Sequence, residues 1–196
     1  VALSSGDGVK KIFIHSKDDH GDISAQGSAT VVLDSIAPNL SSNSNLLLAG
    51  YFSGLKDELV SYIVTDLNLG LNPMSFEYST DSGISWNSIA INQTGLGSFL
   101  WNLPDINSSS VKFRIIAKDL AENESVLVSS SDFTIDSILP AALVVTLDQG
   151  TNTSTSNVTA TVASCSADQA YMLMNESSNQ PTVNDSSWGP CLTTLG

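Results

Sequence analysis

Two histidines are the side chains best suited to acid–base catalysis in this chain of 196 residues. His15 follows an apolar run and His20 lies in an acidic stretch. A nucleophilic serine on a strand-to-helix turn would need a Gly-x-Ser-x-Gly motif, and the sequence contains none. Adjacent carboxylates such as Asp18 and Asp19 do not by their adjacency set the separation that glycoside hydrolysis requires. We therefore expect no enzymatic activity.

Acidic side chains in two short stretches could supply oxygen ligands for calcium, a hard cation that takes six to eight of them. Asp18, Asp19 and Asp22 share one predicted turn, and Asp119 and Asp136 belong to a similar acidic set further along. The chain has no alternating Asp-x-Asp-x-Asp-Gly loop, so solvated acidic turns remain the alternative reading. Calcium aside, we expect no cofactor.

Cys165 and Cys191 are the two cysteines, and they lie 26 positions apart in a Ser- and Asn-rich context. An even count in a chain of extracellular composition favours a disulfide, with two separate buried thiols as the alternative. Two cysteines and two histidines do not form the cluster of three or four ligands that zinc needs.

Carbohydrate could be attached to this protein or bound by it. Tyr51, Phe52 and Trp188 are candidate rings for stacking on sugars, although such residues are more often core. Eight asparagines begin Asn-x-Ser/Thr triplets, which mark exposed loops in secretory routes that glycosylate. They are Asn39, Asn92, Asn107, Asn123, Asn152, Asn157, Asn175 and Asn184.

The composition restricts both the fold class and the partners. The chain has 20 acidic and 7 basic residues, a formal net charge of −13. Nucleic acid and anionic membranes bind basic surfaces, so we expect neither as a partner. No apolar run approaches the roughly 18 residues of a membrane span. The 33 Ser, 15 Asn and 14 Thr suit turns and strand surfaces, which predicts an all-β extracellular or cell-surface protein.

A block of 30 residues occurs twice in the chain. Val9–Pro38 and Val111–Pro140 both begin Val-Lys, carry a Lys-Asp step after an apolar run, and end Asp-Ser-Ile-x-Pro. Each block has the pattern of a β-hairpin, with an acidic turn at 18–22 or 119–123 and a return strand that stops before the proline. The two blocks begin 102 positions apart, close to the size of an immunoglobulin-type sandwich domain.

Three motifs follow one another in the middle of the chain. They are FEYSTDSGISW, then WNLP, then RIIAKDLAEN. In this order they resemble the pattern of bacterial Ig-like domains, which occur in tandem arrays on secreted surface proteins. The resemblance covers 46–140 and departs from the usual glycines at Ser82 and Glu122. It implies tandem Ig-like β-sandwiches, and it implies nothing about a ligand. Large core residues are expected at Trp86, Phe99 and Trp101.

The two ends resemble complementary parts of such a domain. Residues 1–38 resemble its C-terminal half, 39–140 form a complete domain, and 141–196 resemble an N-terminal part. The chain begins without Met, which indicates a mature protein or an excised fragment. We expect residues 1–38 of a neighbouring unit to complete residues 141–196, either as further repeats of the same chain or by strand donation between copies.

These observations predict a structural or adhesive protein, a repeat unit of an Ig-like stalk, fibre or filament with head-to-tail completion of its terminal half-domains. A Cys165–Cys191 bridge would lock the shared domain. The expected partners are copies of the chain itself or further repeats. An Ig-like module that binds carbohydrate or accompanies an enzyme, with surface glycans as its partner, is the alternative.

Overall fold

The computed structural model describes residues 1–95, 97–148, 152, 154, 159–165, 171–173, 179–192 and 194–195. The regular structure in these ranges is β-strand apart from one 3-10 helix at Asn45–Leu47, which confirms the all-β prediction. The chain divides into two compact units, Val1–Ser137 and Ile138–Gly196. No helix among the described residues is long and apolar enough to cross a membrane.

The first unit begins with a two-stranded antiparallel hairpin. Strand β1 (Gly8–Ile14) pairs along its whole length with β2 (Gly27–Leu33). A bridge between Lys17 and Ile23 closes the connection near its tip. Neither strand pairs with a third strand in the described part of the chain, so β1 presents a free edge. The hairpin is the one that the sequence repeat predicts.

A β-sandwich follows the hairpin and occupies the rest of the first unit. One sheet has the order β3-β5-β8; the other has the order β4-β11-β9-β6-β7, with β10 also paired to β9. Neighbouring strands are antiparallel except β4 and β11, which run parallel. The strands are β3 (Asn39–Ser42), β4 (Tyr51–Ser53), β5 (Asp57–Thr65), β6 (Leu69–Ser79), β7 (Asn87–Gln93), β8 (Ser98–Asn102), β9 (Ser108–Asp119), β10 (Glu124–Val128) and β11 (Phe133–Asp136).

The core of the sandwich lies between these two sheets. Alternate residues of a strand point to opposite faces, and along β9 the inward side chains from Val111 to Ala117 are fully buried. Phe76 of one sheet stacks on Phe99 of the other at 4.3 Å between ring centroids. Burying an aromatic side chain of this size stabilises the fold by about 1.5–3 kcal/mol. Phe99 and Trp101 are therefore core residues, as the sequence predicts.

Trp86 is a core residue in the sequence prediction, and this prediction is wrong. The Arg114 guanidinium lies over the Trp86 ring at 4.2 Å from its centroid. Arg114 projects from the outer face of β9 and is ion-paired with Glu77 of β6. Trp86 precedes β7 in the chain and packs on that outer face, where a half-buried ring shields the ion pair from water.

The second unit contains five short described strands in two small sheets. One sheet has the order β12-β13-β16, and in the other β14 pairs with β15. All of these pairs are antiparallel. Ala160 and Val162 of β13 are buried, as is Met172 of β14. The strands are β12 (Val145–Leu147), β13 (Ala160–Val162), β14 (Tyr171–Met172), β15 (Gly189–Pro190) and β16 (Thr194–Leu195).

Candidate assembly site

An aspartate builds the turn of each sequence repeat in the same way. Asp18 Oδ1 accepts hydrogen bonds from the backbone N–H groups two and four residues later, at 3.0 and 2.8 Å. Asp119 Oδ1 accepts the corresponding two bonds at 2.7 and 2.9 Å. Aspartate side chains favour turns because they bond nearby backbone in this manner. The turns therefore align the two hairpins, and each β1 residue corresponds to the β9 residue 101 positions later.

One face of the β1–β2 hairpin carries four apolar side chains together with Lys10, which lies opposite Val31. Ile12 and Ile14 of β1 share this face with Val31 and Leu33 of β2, because paired residues of antiparallel strands lie on the same side. Ile14 is 69% exposed and Val31 is 45% exposed, while Ile12 and Leu33 are half-buried. Among the described strands, β1 and β2 pair only with each other, and none of the side chains on this face is fully buried.

The equivalent four positions of the complete sandwich form the middle of its core. The turn alignment gives the equivalents on β9, and the shared Asp-Ser-Ile-x-Pro ending gives those on β11. All four side chains are at most 2% exposed, beneath the β3-β5-β8 sheet. Ile12, Ile14, Val31 and Leu33 correspond to Phe113, Ile115, Phe133 and Ile135, respectively. The same strand face is thus covered in one hairpin and open in the other.

The second unit has the strand pairings of the other half of the sandwich. Its β12-β13-β16 sheet repeats the antiparallel order of β3-β5-β8, and its β14–β15 pair repeats β6–β7. Trp188 immediately precedes β15, as Trp86 immediately precedes β7. In the complete sandwich β9 occupies the other edge of β6. No described strand occupies the corresponding edge of β14.

Cys165 and Cys191 form the disulfide that the sequence favours. Cys165 follows β13 and Cys191 follows β15, so the bond ties the two small sheets of the second unit together. Nearby, the Trp188 indole N–H donates to the Thr182 carbonyl oxygen at 2.8 Å. These links fix a unit whose strands are only two or three residues long.

A polar junction joins the base of the hairpin to the complete sandwich. Asn68 Nδ2 donates to Asp34 Oδ2 at 2.6 Å. Asn123 Nδ2 donates to the backbone oxygens of Asp34 and Ile36, at 3.2 and 3.4 Å. The hydroxyl of Ser125 donates to the backbone oxygen two residues beyond Ile36, at 2.5 Å. The residues just after β2 are therefore held against one end of the sandwich.

Three carboxylates meet at this junction. Oxygens of Asp34, Asp66 and Asp119 lie within 4.8 Å of one another, and Asp119 is only 5% exposed. Burial by itself raises the pKa of Asp119, but the hydrogen bonds from Asn123 and Ala121 outweigh it, so the pKa lies below its usual value. Sequence reasoning missed Asp66, and the signal for it is the Asp-x-Asn step directly after β5.

The residues predicted for calcium are distributed over more than one place. Asp18 and Asp19 lie near His20 on an exposed turn, and the backbone of Asp22 closes that turn. Asp119 belongs to the junction cluster, whereas the backbone oxygen of Asp136 accepts from Gly54 at 2.9 Å. The junction cluster consists of carboxylates, the ligands that calcium prefers, whereas the turn cluster includes the His20 imidazole. Calcium binding stays a prediction.

The predicted glycosylation sites differ in how accessible their amide nitrogens are. Asn123 is half-buried, and its Nδ2 donates to Asp119 as well as to the junction, so a glycan there would displace these bonds. Asn157 and Asn175 lie outside the described residues. The exposed sites are Asn39, Asn92, Asn107, Asn152 and Asn184.

The histidines and the two candidate sugar-stacking rings of β4 are not members of the junction cluster. His15 contacts the Ser24 carbonyl oxygen and the Gln26 side chain at the surface, and His20 pairs with Asp19. Phe52 packs edge-on against Phe133 in the core. Tyr51 beside it is 90% exposed and Trp188 is 37% exposed, so stacking on a sugar stays a prediction for these two rings.

Comparisons with known proteins do not assign a family. No protein-family model matches the chain, and no curated protein sequence matches it.

Proposed function

We propose that the chain is a structural, adhesive repeat unit of an extracellular stalk, fibre or filament built from Ig-like β-sandwiches. The strand pairings of the complete sandwich support the Ig-like assignment: three strands face a larger sheet in which β4 runs parallel to β11. The core lies between two such sheets in Ig-like folds. A sandwich of this kind buries its own core and acts as a rigid segment.

Head-to-tail completion of the terminal half-domains is the second part of the proposal. The observation that carries it is the apolar face of β1 and β2, which is open although the equivalent face of β9 and β11 is fully buried. The strand pairings of the second unit correspond to those of the sheet that covers β9 and β11 in the complete sandwich. An uncovered sheet face of this kind is expected to bind a partner.

The chain enters the complete sandwich at one end and leaves it at the other, as in a linear array. Ser137 N donates to Asn107 Oδ1 at 3.0 Å, beside the start of β9. Asp34, at the base of the hairpin, lies beside Asp119 at the end of β9. A strand of 12 residues spans about 36 Å. Asp34 and Ser137 therefore lie near opposite ends of the sandwich, as a head-to-tail array requires of each repeat.

An extracellular location fits the covalent and electrostatic features. Disulfides persist in oxidising compartments, and the chain has one between Cys165 and Cys191. A net charge of −13 keeps neighbouring fibres apart and soluble. The exposed ring of Tyr51 supports the alternative function, a module that binds carbohydrate. Loss of glycan-array binding in Tyr51→Ala would favour that alternative.

The test is the mass and appearance of the purified chain. We expect light scattering to show concentration-dependent oligomers and electron microscopy to show fibres. For the native fibre, resistance to boiling in detergent separates covalent continuation from completion by a neighbour. A stable monomer whose amides are protected throughout 1–38 and 138–196 would contradict the proposal.

A further inference from the structure

The joint between copies can be assigned to particular strands, and this assignment rests on the proposed function. In the complete sandwich β9 pairs with β6, and Glu77 lies opposite Arg114 while Tyr78 lies opposite Phe113. Both strands of the corresponding pair, β1 and β14, have an edge that no described strand occupies. Each copy therefore has a free edge on β1, which can donate a strand, and a free edge on β14, which can accept one.

The turn alignment gives the position of β1 in this joint. Asp18 corresponds to Asp119, which places Phe13 at the position of Arg114 and Ile12 at the position of Phe113. Phe13 is 52% exposed, and the Lys11 ammonium lies over its ring at 5.1 Å. A cation thus covers an aromatic ring on the outer face, as in the complete sandwich.

The tryptophan that precedes β15 gives the position of β14. The first two residues after Trp86 pair with Tyr78 and Glu77. The first two residues after Trp188 pair with Met172 and Tyr171. Met172 thus corresponds to Tyr78, and Tyr171 to Glu77. Burial agrees with this alignment, because Met172 is 8% exposed and Tyr171 is 68% exposed.

We propose that β1 of one copy adds antiparallel to the free edge of β14 in a second copy, with Phe13 opposite Tyr171 and Ile12 opposite Met172. Phe13 and Tyr171 then form a cross-strand aromatic pair on the outer face, a favourable pairing in antiparallel sheets. Ile12 and its neighbours on β1 and β2 close over the β12-β13-β16 sheet. The occupant of the open half-sandwich is thus the hairpin of a second copy.

Charge favours this partner over an unrelated apolar segment. Residues 138–196 contain four acidic and no basic residues. The donor strand β1 contains Lys10 and Lys11 and no acidic residue. Complementary charge directs association and register more than it adds affinity. The charged side chains of residues 138–196 are thus all negative, which favours a donor strand whose charged residues are all basic, and β1 carries two of the chain's seven basic residues.

Cysteine cross-linking between copies tests the register. Full-length Phe13→Cys is mixed with full-length Tyr171→Cys under mild oxidation, and the linked peptides are identified by mass spectrometry. We expect at least tenfold more hetero-linked product than with Val9→Cys, which lies on the same face four residues away, a distance of about 13 Å along the strand. Phe13, Tyr171 and Val9 are all exposed. Near-UV circular dichroism checks that each variant keeps the fold of the complete sandwich.

Each outcome decides the proposal. Equal or greater linkage through Val9→Cys would overturn the register, and fibres without linkage at either position would overturn the β1–β14 joint while the proposed function stands. A protein that forms neither fibres nor cross-links at high concentration would overturn both.

Discussion

Ile14 and Ile115 occupy equivalent positions in the two hairpins, and they differ in what covers them. Ile115 is fully buried beneath the β3-β5-β8 sheet, whereas Ile14 is 69% exposed. The Asp18 and Asp119 turns align the two residues. Both residues lie on the first strand of a hairpin with the same aspartate turn, so the contrast places the energetic difference between these two positions in tertiary packing.

Substitution of Ile14 should weaken assembly without unfolding the complete sandwich. We expect Ile14→Asp to raise the concentration needed for oligomers at least tenfold, because a buried carboxylate in the joint has no partner. Light scattering measures this. Ile63→Asp is the matched control, since Ile63 is 66% exposed on β5 and receives the same charge. Equal effects of the two variants would contradict the assigned face, and Ile115→Ala should instead lower the free energy of unfolding by about 2–5 kcal/mol.

Reduction of the Cys165–Cys191 disulfide should destabilise the second unit alone. The bond spans 26 residues, and the chain-entropy estimate for such a loop is about 3–4 kcal/mol. We expect dithiothreitol to abolish amide protection in 159–195 and to leave the complete sandwich protected in hydrogen exchange. The double variant Cys165→Ala/Cys191→Ala should behave as the reduced protein does. Loss of protection in β5 or β9 on reduction would contradict this separation.

Acid should destabilise the complete sandwich partly through Asp119. The folded-state pKa of Asp119 lies below its usual value, so its contribution is fully present above the unfolded pKa, about 3.9. It is lost as the pH falls through the folded pKa. Asp119→Ala removes hydrogen bonds to a charged group and should cost about 2 kcal/mol near pH 7. Chemical denaturation at a series of pH values checks both, and a difference from the wild type that stays constant down to the lowest pH would contradict the linkage.

The Asp81 carboxyl should titrate at unusually low pH. The hydroxyls of Ser79 and Ser85 donate to it at 2.6 and 2.5 Å, and the Ser85 N–H at 2.8 Å, which lowers the pKa of Asp81 to about 2. Stability from this turn is present above pH 4 and falls toward pH 2. Carbon-detected NMR titration measures the value directly. Ser79→Ala should raise the pKa toward its usual range, whereas Ser88→Ala, on the neighbouring strand, should leave it unchanged.

The strands of the sandwich could be predicted from the sequence because their alternation is strict. The pattern of β5 assigns Val60 and Tyr62 to one face, and both are buried. The return strand expected just before the second Asp-Ser-Ile-x-Pro step is present as β11, but β10, which pairs with β9 ahead of it, is not expected. The segment between the two strands begins at Ser129. The buried Ser129 hydroxyl accepts the Phe113 N–H at 3.2 Å, and local sequence gives no signal for such a long-range bond.

The junction could be predicted only in part. Asp119 and Asp34 stand out as acidic residues near turns, but Asp66 joins them through tertiary contacts between the segments that follow β2 and β5, such as the Asn68–Asp34 hydrogen bond. Tryptophan is a large apolar residue of the kind found in cores, but Trp86 packs on the outer face of the sheet because its ring contacts the Arg114 guanidinium there. In both cases a residue distant in sequence determines where the side chain lies, and local sequence does not identify that residue.

Removal of the Asn68 side chain should free the hairpin from the sandwich. Asn68 Nδ2 donates to Asp34 Oδ2 at 2.6 Å, and this bond crosses from the hairpin base to the end of β5. We expect Asn68→Ala to change the unfolding free energy by about 1 kcal/mol or less and to lower the NMR order parameters of 8–33 relative to the sandwich. Asn102→Ala is the control, because Asn102 donates to Asp57 within the sandwich at 2.9 Å. Unchanged order parameters in Asn68→Ala would mean that Asn123 and Ser125 alone hold the hairpin in place.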